Sequence, residues 1–215
     1  MSRAWSRPLI CSKKSCTSNR CWDFQVNSVR KSKNNPGRPF RFPTTAAGVP
    51  CVGPSRWETA RQVTNLGLTG SYMAASKSSP LINLRRYGAP AGADSLEGFL
   101  FPATYELPAA GSVNRLVPQQ VRAFERNIAG VNMAYAKRKN LTVFDVVTIA
   151  SLIDREVSVA RERKVVAAVI YNRLRNRMPL GIDATIRYGL GIPGTESLTK
   201  AAIASDNPFN SRRFP

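Results

Sequence analysis

Leu141-Thr-Val-Phe-Asp-Val-Val-Thr-Ile-Ala-Ser-Leu-Ile-Asp-Arg-Glu-Val157 is the stretch whose periodicity decides how this chain folds. Thr142 stands where an N-cap hydroxyl is wanted. Asp145, three residues on, can close a capping box at a position where Glu is commoner. With Ile149 set at zero and the helical turn per residue applied, Leu152 lies at about 300°, Ile153 at about 40° and Val146 at about 60°. Glu156 falls at about 340°, between Leu152 and Ile149, so a carboxylate is expected on the apolar face. An unpaired ionised carboxylate is costly to bury, so a group placed there tends to keep its proton towards neutral pH, as a general acid must. The structural alternative is an ion pair with Arg173 or Arg187. Asp154, at about 140°, points too far from Glu156 to act with it as a catalytic pair, and Arg155, at about 240°, is expected to face solvent.

Around this helix the chain divides by texture. Residues 1–55 show neither helical nor strand periodicity and are rich in Ser, Asn, Arg and Pro, so a disordered tail is expected there. From about Trp57 something globular begins, with short helices expected over 58–68 and 70–76. Residues 95–215 hold the clearest periodic elements. There, Phe99-Leu-Phe101, Tyr105 and Leu107 suggest strand pieces interrupted by Pro102, with Gly98 at a tight backbone position. Pro118 is expected to open a long helix whose stripe of Val121, Phe124, Ile128, Val131 and Tyr135 runs five turns to Asn140. A third helix over 161–177 should bury Val165, Val166, Val169, Ile170 and Leu174. A short one over 198–204 follows a Ser197 cap. The expected fold class is α+β: three helices of moderate length packed on a small sheet drawn from residues 99–107 and 182–190.

The composition narrows the chemistry. The formal net charge is +19, and the first sixty residues carry 11 basic against 2 acidic side chains. Such an excess attracts a polyanion: nucleic acid, an anionic membrane surface or an acidic wall polymer. There is no histidine, which excludes Ser-His-Asp and Cys-His catalysis within the chain. Cys11, Cys16, Cys21 and Cys51 are the only cysteines, and their spacing fits no usual zinc pattern. No metal or cofactor is expected. No apolar run is long enough to span a bilayer, and the N-terminus lacks the apolar core of a signal peptide.

Seven segments, in order, resemble the YceG-like endolytic murein transglycosylases. They are Ser95-Leu-Glu-Gly-Phe-Leu-Phe-Pro-Ala-Thr-Tyr-Glu106, Ala150-Ser-Leu-Ile-Asp-Arg-Glu156, Val169-Ile-Tyr-Asn-Arg-Leu174, Met178-Pro-Leu180, Asp183-Ala-Thr185, Tyr188-Gly189 and Asp206-Asn-Pro-Phe-Asn210. The resemblance covers roughly residues 70–215, and it implies a catalytic domain over 95–215 with a linker or the remnant of a small glycan-binding portion over 56–94. It implies a lytic-transglycosylase-like core that cuts the peptidoglycan glycan strand between N-acetylmuramic acid and N-acetylglucosamine without adding water, leaving 1,6-anhydro-muramyl ends. It maps the catalytic acid onto Glu156. It makes Asn172, Arg173, Asp183, Thr185, Tyr188, Asn207 and Asn210 candidate contacts to sugar or peptide, although each also suits a cap or a turn. One carboxyl acting as acid and then as base is enough for that reaction, in contrast to the two of ordinary glycosidases.

The same resemblance implies a place in the cell envelope facing outward, with the glycan strand as partner and cell-wall synthesis proteins as further ones. Relative to the family pattern, the chain is expected to lack an N-terminal anchor and a C-terminal segment after the Asn-Pro-Phe-Asn turn. Two other readings stand beside the enzyme: a cationic nucleic-acid-binding protein using residues 161–177 and the basic tail, and an inactive wall-glycan binder. The basic helix has no interleaved aromatics and matches no known nucleic-acid-binding pattern, so no nucleic-acid partner is expected.

Overall fold

The structure, a computed structural model, describes residues 39–41, 54–107, 111–157 and 159–214. The tail expected over 1–55, with all four cysteines, lies outside the described residues except for 39–41 and 54–55. Helices dominate what is described. In chain order they are α1 (Arg56–Asn65), α2 (Tyr72–Ala75), α3 (Val113–Ala129), α4 (Ala134–Arg138), α5 (Val143–Glu156), α6 (Arg163–Arg175), α7 (Asp183–Leu190) and α8 (Lys200–Ile203). Two three-residue strands, β1 (Pro39–Arg41) and β2 (Thr104–Glu106), pair antiparallel with Phe40 opposite Tyr105.

The sheet expected from residues 99–107 and 182–190 does not form as drawn. Residues 183–190 are the helix α7, closed by Gly191 in the left-handed region at φ 65°, and Phe99 to Ala103 run as irregular chain. Ala184, Ile186, Tyr188 and Leu190 alternate along the sequence as they would in a strand, and an eight-residue segment is short enough to read either way. Burial decides it, since Ile186 is fully buried on one face while Tyr188 and Leu190 are exposed.

α5 forms as its capping box requires. Thr142 Oγ1 accepts the Asp145 N–H, and Asp145 Oδ2 accepts both the N–H of Thr142 (2.8 Å) and its hydroxyl (2.7 Å). α3 differs from expectation at both ends. Its N-cap is Ser112, whose side chain accepts the Asn114 N–H, so Pro118 lies inside the helix. At its other end the helix stops at Ala129 before Gly130. Val131 and Tyr135, taken from the sequence as its apolar continuation, are 37% and 51% exposed, and Tyr135 belongs to the separate α4. α4 gives way at Lys139 to Asn140, whose positive φ of 55° turns the chain towards α5.

Two cores result. The larger is centred on Phe99, which has no exposed surface and lies 4.8 Å from Phe124, 5.9 Å from Tyr87 and 6.1 Å from Phe144, centroid to centroid. Val63 of α1 and Tyr72 of α2 share that core with Leu96, Leu116, Val121 and Phe124. The smaller gathers Ile149, Ile170 and Ile182, with Leu152, Ile153, Val166 and Leu180 packed against it. α5 belongs to both: Phe144 and Val147 point to the first, Ile149 and Leu152 to the second.

α6 packs less completely than its sequence suggests. Ile170 is buried and Val166 half-buried, but Val165 is 65% exposed, Val169 44% and Leu174 42%. Val165 and Val169 are turned about 140° and about 100° away from Ile170 on the helix, beyond the face that meets α5. The last short helix is capped by Thr199, whose side chain accepts the Ala202 N–H, and not by Ser197.

Gly98 holds the loop of residues 95–103 against α5. Its φ is +81°, and a Cβ there would come within 2.9 Å of Val147 Cγ1. Gly98→Ala should therefore lower stability by at least about 1 kcal/mol from the left-handed backbone alone. A urea titration checks this, the midpoint falling while the slope stays constant.

Candidate active site

Glu156 is the last residue of α5, and there the chain leaves the helix through Val157 in an extended conformation (φ −108°, ψ 118°). Ile149 and Ile153 carry the helix over the smaller core, but the final turn projects past its edge. Glu156 is consequently exposed in surface area, which corrects the expectation of a carboxylate held on the buried face. It is not free in solution, however. α7 starts without a side-chain cap at Ile182, and the Glu156 carboxylate lies beside that uncapped first turn, where the Ala184 N–H favours its charged form.

Proton affinity follows from this placement. Partial burial against α7 raises the Glu156 carboxyl above its ordinary value, and the nearby negative charge of Asp183 raises it further. The Ala184 N–H and the Arg212 guanidinium act in the opposite sense and leave a net rise. Exposure and desolvation coexist because one side of the carboxylate lies against the start of α7. The alternative of an ion pair with Arg173 or Arg187 is not formed. Arg173 donates to the Leu180 carbonyl, and Arg187 donates to the carbonyls of Pro193 (3.0 Å) and Glu196.

The start of α7 gathers several expected residues. Asp183 is gripped by Arg212, whose Nε and a terminal nitrogen donate to the same carboxylate oxygen at 2.8 and 2.7 Å. Thr185 donates to the Ile182 carbonyl (2.7 Å) and lies 2.9 Å from the Ser211 hydroxyl. Ser211 in turn accepts the N–H of Ile182 through its hydroxyl (3.0 Å) and that of Gly181 through its carbonyl (2.8 Å). These bonds tie the segment after α8 to the start of α7, next to Glu156.

The far end of α7 holds Tyr188 and Asn207. Tyr188 is 40% exposed and meets Phe209 edge to face at 5.1 Å. Its phenol is pushed up to about 12 by burial and by the Glu97 carboxylate, so it stays a hydrogen-bond donor at neutral pH. Asn207 Oδ1 accepts the Phe209 N–H, while its Nδ2 is buried without a partner among the described residues. Asn207 lies so close to Gly189 that a Cβ at that position would overlap it. Asn172 is exposed on α6, away from these internal bonds.

Asn210, expected as a candidate contact to sugar or peptide, makes internal bonds in the structure. It has no exposed surface; its amide donates to Ile203 (2.9 Å) and Ser205 (2.8 Å), and its Oδ1 accepts the Arg212 N–H (3.2 Å). Asp154 turns away to Arg163 at 3.6 Å, in keeping with its divergence from Glu156 on the helical wheel.

Four charged residues near the site were missed or misplaced by sequence reasoning. Arg155 is exposed, as expected, but it also makes a contact that was missed, to Glu58 of α1 at 2.8 Å, where the Glu58 side chain is only 8% exposed. Ser55 and Glu58 form a capping box, a signal present in the sequence as Ser55-Arg-Trp-Glu58. Glu97 accepts the Arg56 N–H at 3.0 Å, and burial raises its carboxyl. Arg212 had no local pattern to mark it.

The helical fold, with a carboxyl of raised proton affinity at the end of α5 and the Arg212–Asp183 pair beside it, defines an α-helical protein with an acid-bearing surface site. The match to known proteins places it more closely: residues 33–215 match the YceG-like family, and the chain belongs to that family. It is 36% identical over 116 residues to the endolytic murein transglycosylase of Streptococcus pneumoniae R6, covering 54% of this chain and 21% of that protein. It is 32% identical over 117 residues to that of Bacillus subtilis, covering 54% of this chain and 32% of the relative. The chain thus spans between about a fifth and a third of the length of these relatives. A solved YceG-like protein of Listeria monocytogenes shares the fold with a TM-score of 0.61 at 24% identity, over 79% of this chain and 59% of that one. Among the described residues no helix is long and apolar enough to cross a membrane.

The raised Glu156 value carries a sign for stability. The folded state holds this proton more tightly than the unfolded chain. The associated stability is therefore fully present below the ordinary glutamate range and is lost as pH rises through the folded value. Removing the charge with Glu156→Gln should favour the variant over the parent more at pH 7 than at pH 3. Paired thermal melts at the two pH values measure that difference.

Proposed function

We propose that this chain cleaves the glycan strand of peptidoglycan between N-acetylmuramic acid and N-acetylglucosamine without water, with Glu156 as acid and then base. The observation that carries this reading is the position of Glu156, reachable from solvent yet set beside α7, where partial burial and Asp183 raise its proton affinity. The endolytic murein transglycosylase relatives supply the substrate class. Protonated Glu156 donates to the glycosidic oxygen as the C1–O bond breaks through an oxocarbenium-like state. The muramyl 6-hydroxyl then attacks C1 and its proton passes to the Glu156 carboxylate. The acid is regenerated and one product ends in a 1,6-anhydro ring.

Within this reading Asp183 raises the proton affinity of Glu156, and Tyr188 and Asn172 present polar groups from exposed positions to the strand. Thr185, Arg173 and Asn207 support the walls of the site through their internal contacts. Residues 95–215 form the cleaving portion and residues 56–94 a smaller portion packed on it. The protein works in the cell envelope, facing outward, alongside the proteins that build the wall.

Incubation with purified sacculi, followed by mass analysis of the released fragments, tests this. Anhydro-muramyl ends should appear and fall by about 100-fold or more in Glu156→Gln. Reducing ends would mean hydrolysis, and no release at all would overturn the reading.

The pH profile adds a second check. Activity should decline as pH rises through the Glu156 value, since the acid form is consumed. Asp183→Asn removes a charge that raises that value and frees Arg212 to lower it, so the declining limb should move to lower pH.

A further inference from the structure

Arg155 and Glu58 are joined across 97 positions of sequence by a forked contact, with one guanidinium nitrogen 2.8 Å from Glu58 Oε2 and the other 3.5 Å from Oε1. Oε2 also accepts the Ser55 N–H (2.7 Å) and hydroxyl (2.8 Å), so the acceptor is fixed before Arg155 arrives. α1, which carries Glu58, is anchored in turn. Arg56 donates to Ser76 Oγ (2.8 Å) and to the Met73 carbonyl (2.6 Å), while its N–H is taken by Glu97 (3.0 Å). Arg155 immediately precedes Glu156 in the last turn of α5, and the chain turns extended one residue later.

We infer that Arg155 is a positioning residue for Glu156: its pair with buried Glu58 fixes the last turn of α5 so that the Glu156 carboxylate meets the start of α7. The two side chains leave the helix about 100° apart, so a tether on one sets the direction of the other. The geometry demands a rigid anchor, because a helix end frays and its last residues lack onward hydrogen bonds. A planar fork on a buried, prebonded carboxylate provides that anchor. The role assigned to Glu156 rests on the function proposed above; the placement of its carboxylate does not, and can be measured without any substrate.

The test is the titration of Glu156 followed by carboxyl carbon NMR on glutamate-labelled protein. With seven glutamates in the chain, the Glu156 signal is assigned by its loss in Glu156→Gln. Asp183 and Arg212 face Glu156 from α7 and from the segment after α8, and Arg155 lies beside it on α5. Deleting the Arg155 charge without moving Glu156 would raise its titration point, since a nearby cation is lost. Detaching Glu156 from α7 removes both the burial and the Asp183 influence and lowers that point to the ordinary glutamate value.

Arg155→Met should therefore shift the Glu156 titration down. An unchanged or raised value would overturn the assignment. Because Arg155→Met strands a buried carboxylate and could unfold the chain, Glu58→Gln combined with Arg155→Met serves as the second variant. It should recover a cooperative melt while Glu156 still titrates lower than in the parent. Parental titration in that double variant would reduce the pair to a stabilising contact and overturn the inference. Sacculi left intact by the parent protein, together with a lowered titration in the variants, would count against the proposed reaction and leave the positioning role standing.

Discussion

One helix has to serve two cores. α5 gives Phe144 and Val147 to the cluster around Phe99, and Ile149, Leu152 and Ile153 to the cluster around Ile170 and Ile182. Everything near the site inherits its position from that helix. The 95–103 loop approaches its first half so closely that residue 98 has no room for a side chain. α6 and α7 pack on its second half. Its end determines where the acid stands relative to α7. Rotation of α5 would expose one core in order to fill the other, so the two clusters jointly fix its angle about its own axis.

Apolar packing does not fix the last turn, because the core ends before it. Polar contacts take over there. A buried carboxylate is tolerated only when its lone pairs are satisfied, and Glu58 meets that condition through Ser55 and Arg155. The same residues that end α5 at one side therefore brace α1 at the other. Ser76, without exposed surface, accepts from Arg56, and its carbonyl receives the Leu96 N–H, so the brace continues into the 95–103 loop. Such a network costs more if half broken than if absent, which makes each member sensitive to loss of its neighbour.

Much of this was legible in the sequence where the signal is local. Thr142 and Asp145 announced α5, the wheel placed Ile149 and Ile153 inward, and the divergence of Asp154 from Glu156 followed from helix geometry alone. The errors arise where a local signal meets a tertiary limit. Pro118 was taken for a helix start because proline favours the first turn, yet Ser112 caps the helix earlier and the proline is carried inside it. Val165 and Val169 look like core positions by residue type, but the partner helix covers only the face around Ile170. Glu156 lies on the correct stripe of the wheel, and the stripe simply outlasts the core beneath it. Residue contacts between distant segments, such as Arg155 with Glu58 and Arg212 with Asp183, leave no periodic trace at all.

The exposure of Glu156 also bears on how one carboxyl could act twice. A fully buried acid would hold its proton too tightly to release it and could not be reached by a glycan. A fully solvated one would be ionised at neutral pH and have nothing to donate. At the start of α7 the opposing influences are all present. Desolvation and Asp183 favour the proton, whereas the Ala184 N–H and Arg212 favour the carboxylate. The first pair stabilises the donor at the start of the proposed reaction, and the second pair stabilises the base that the same residue becomes once the proton has left. Because Arg212 is held by Asp183 itself, the cation and the anion that tune the acid arrive as a unit, and neither can be displaced without releasing the other.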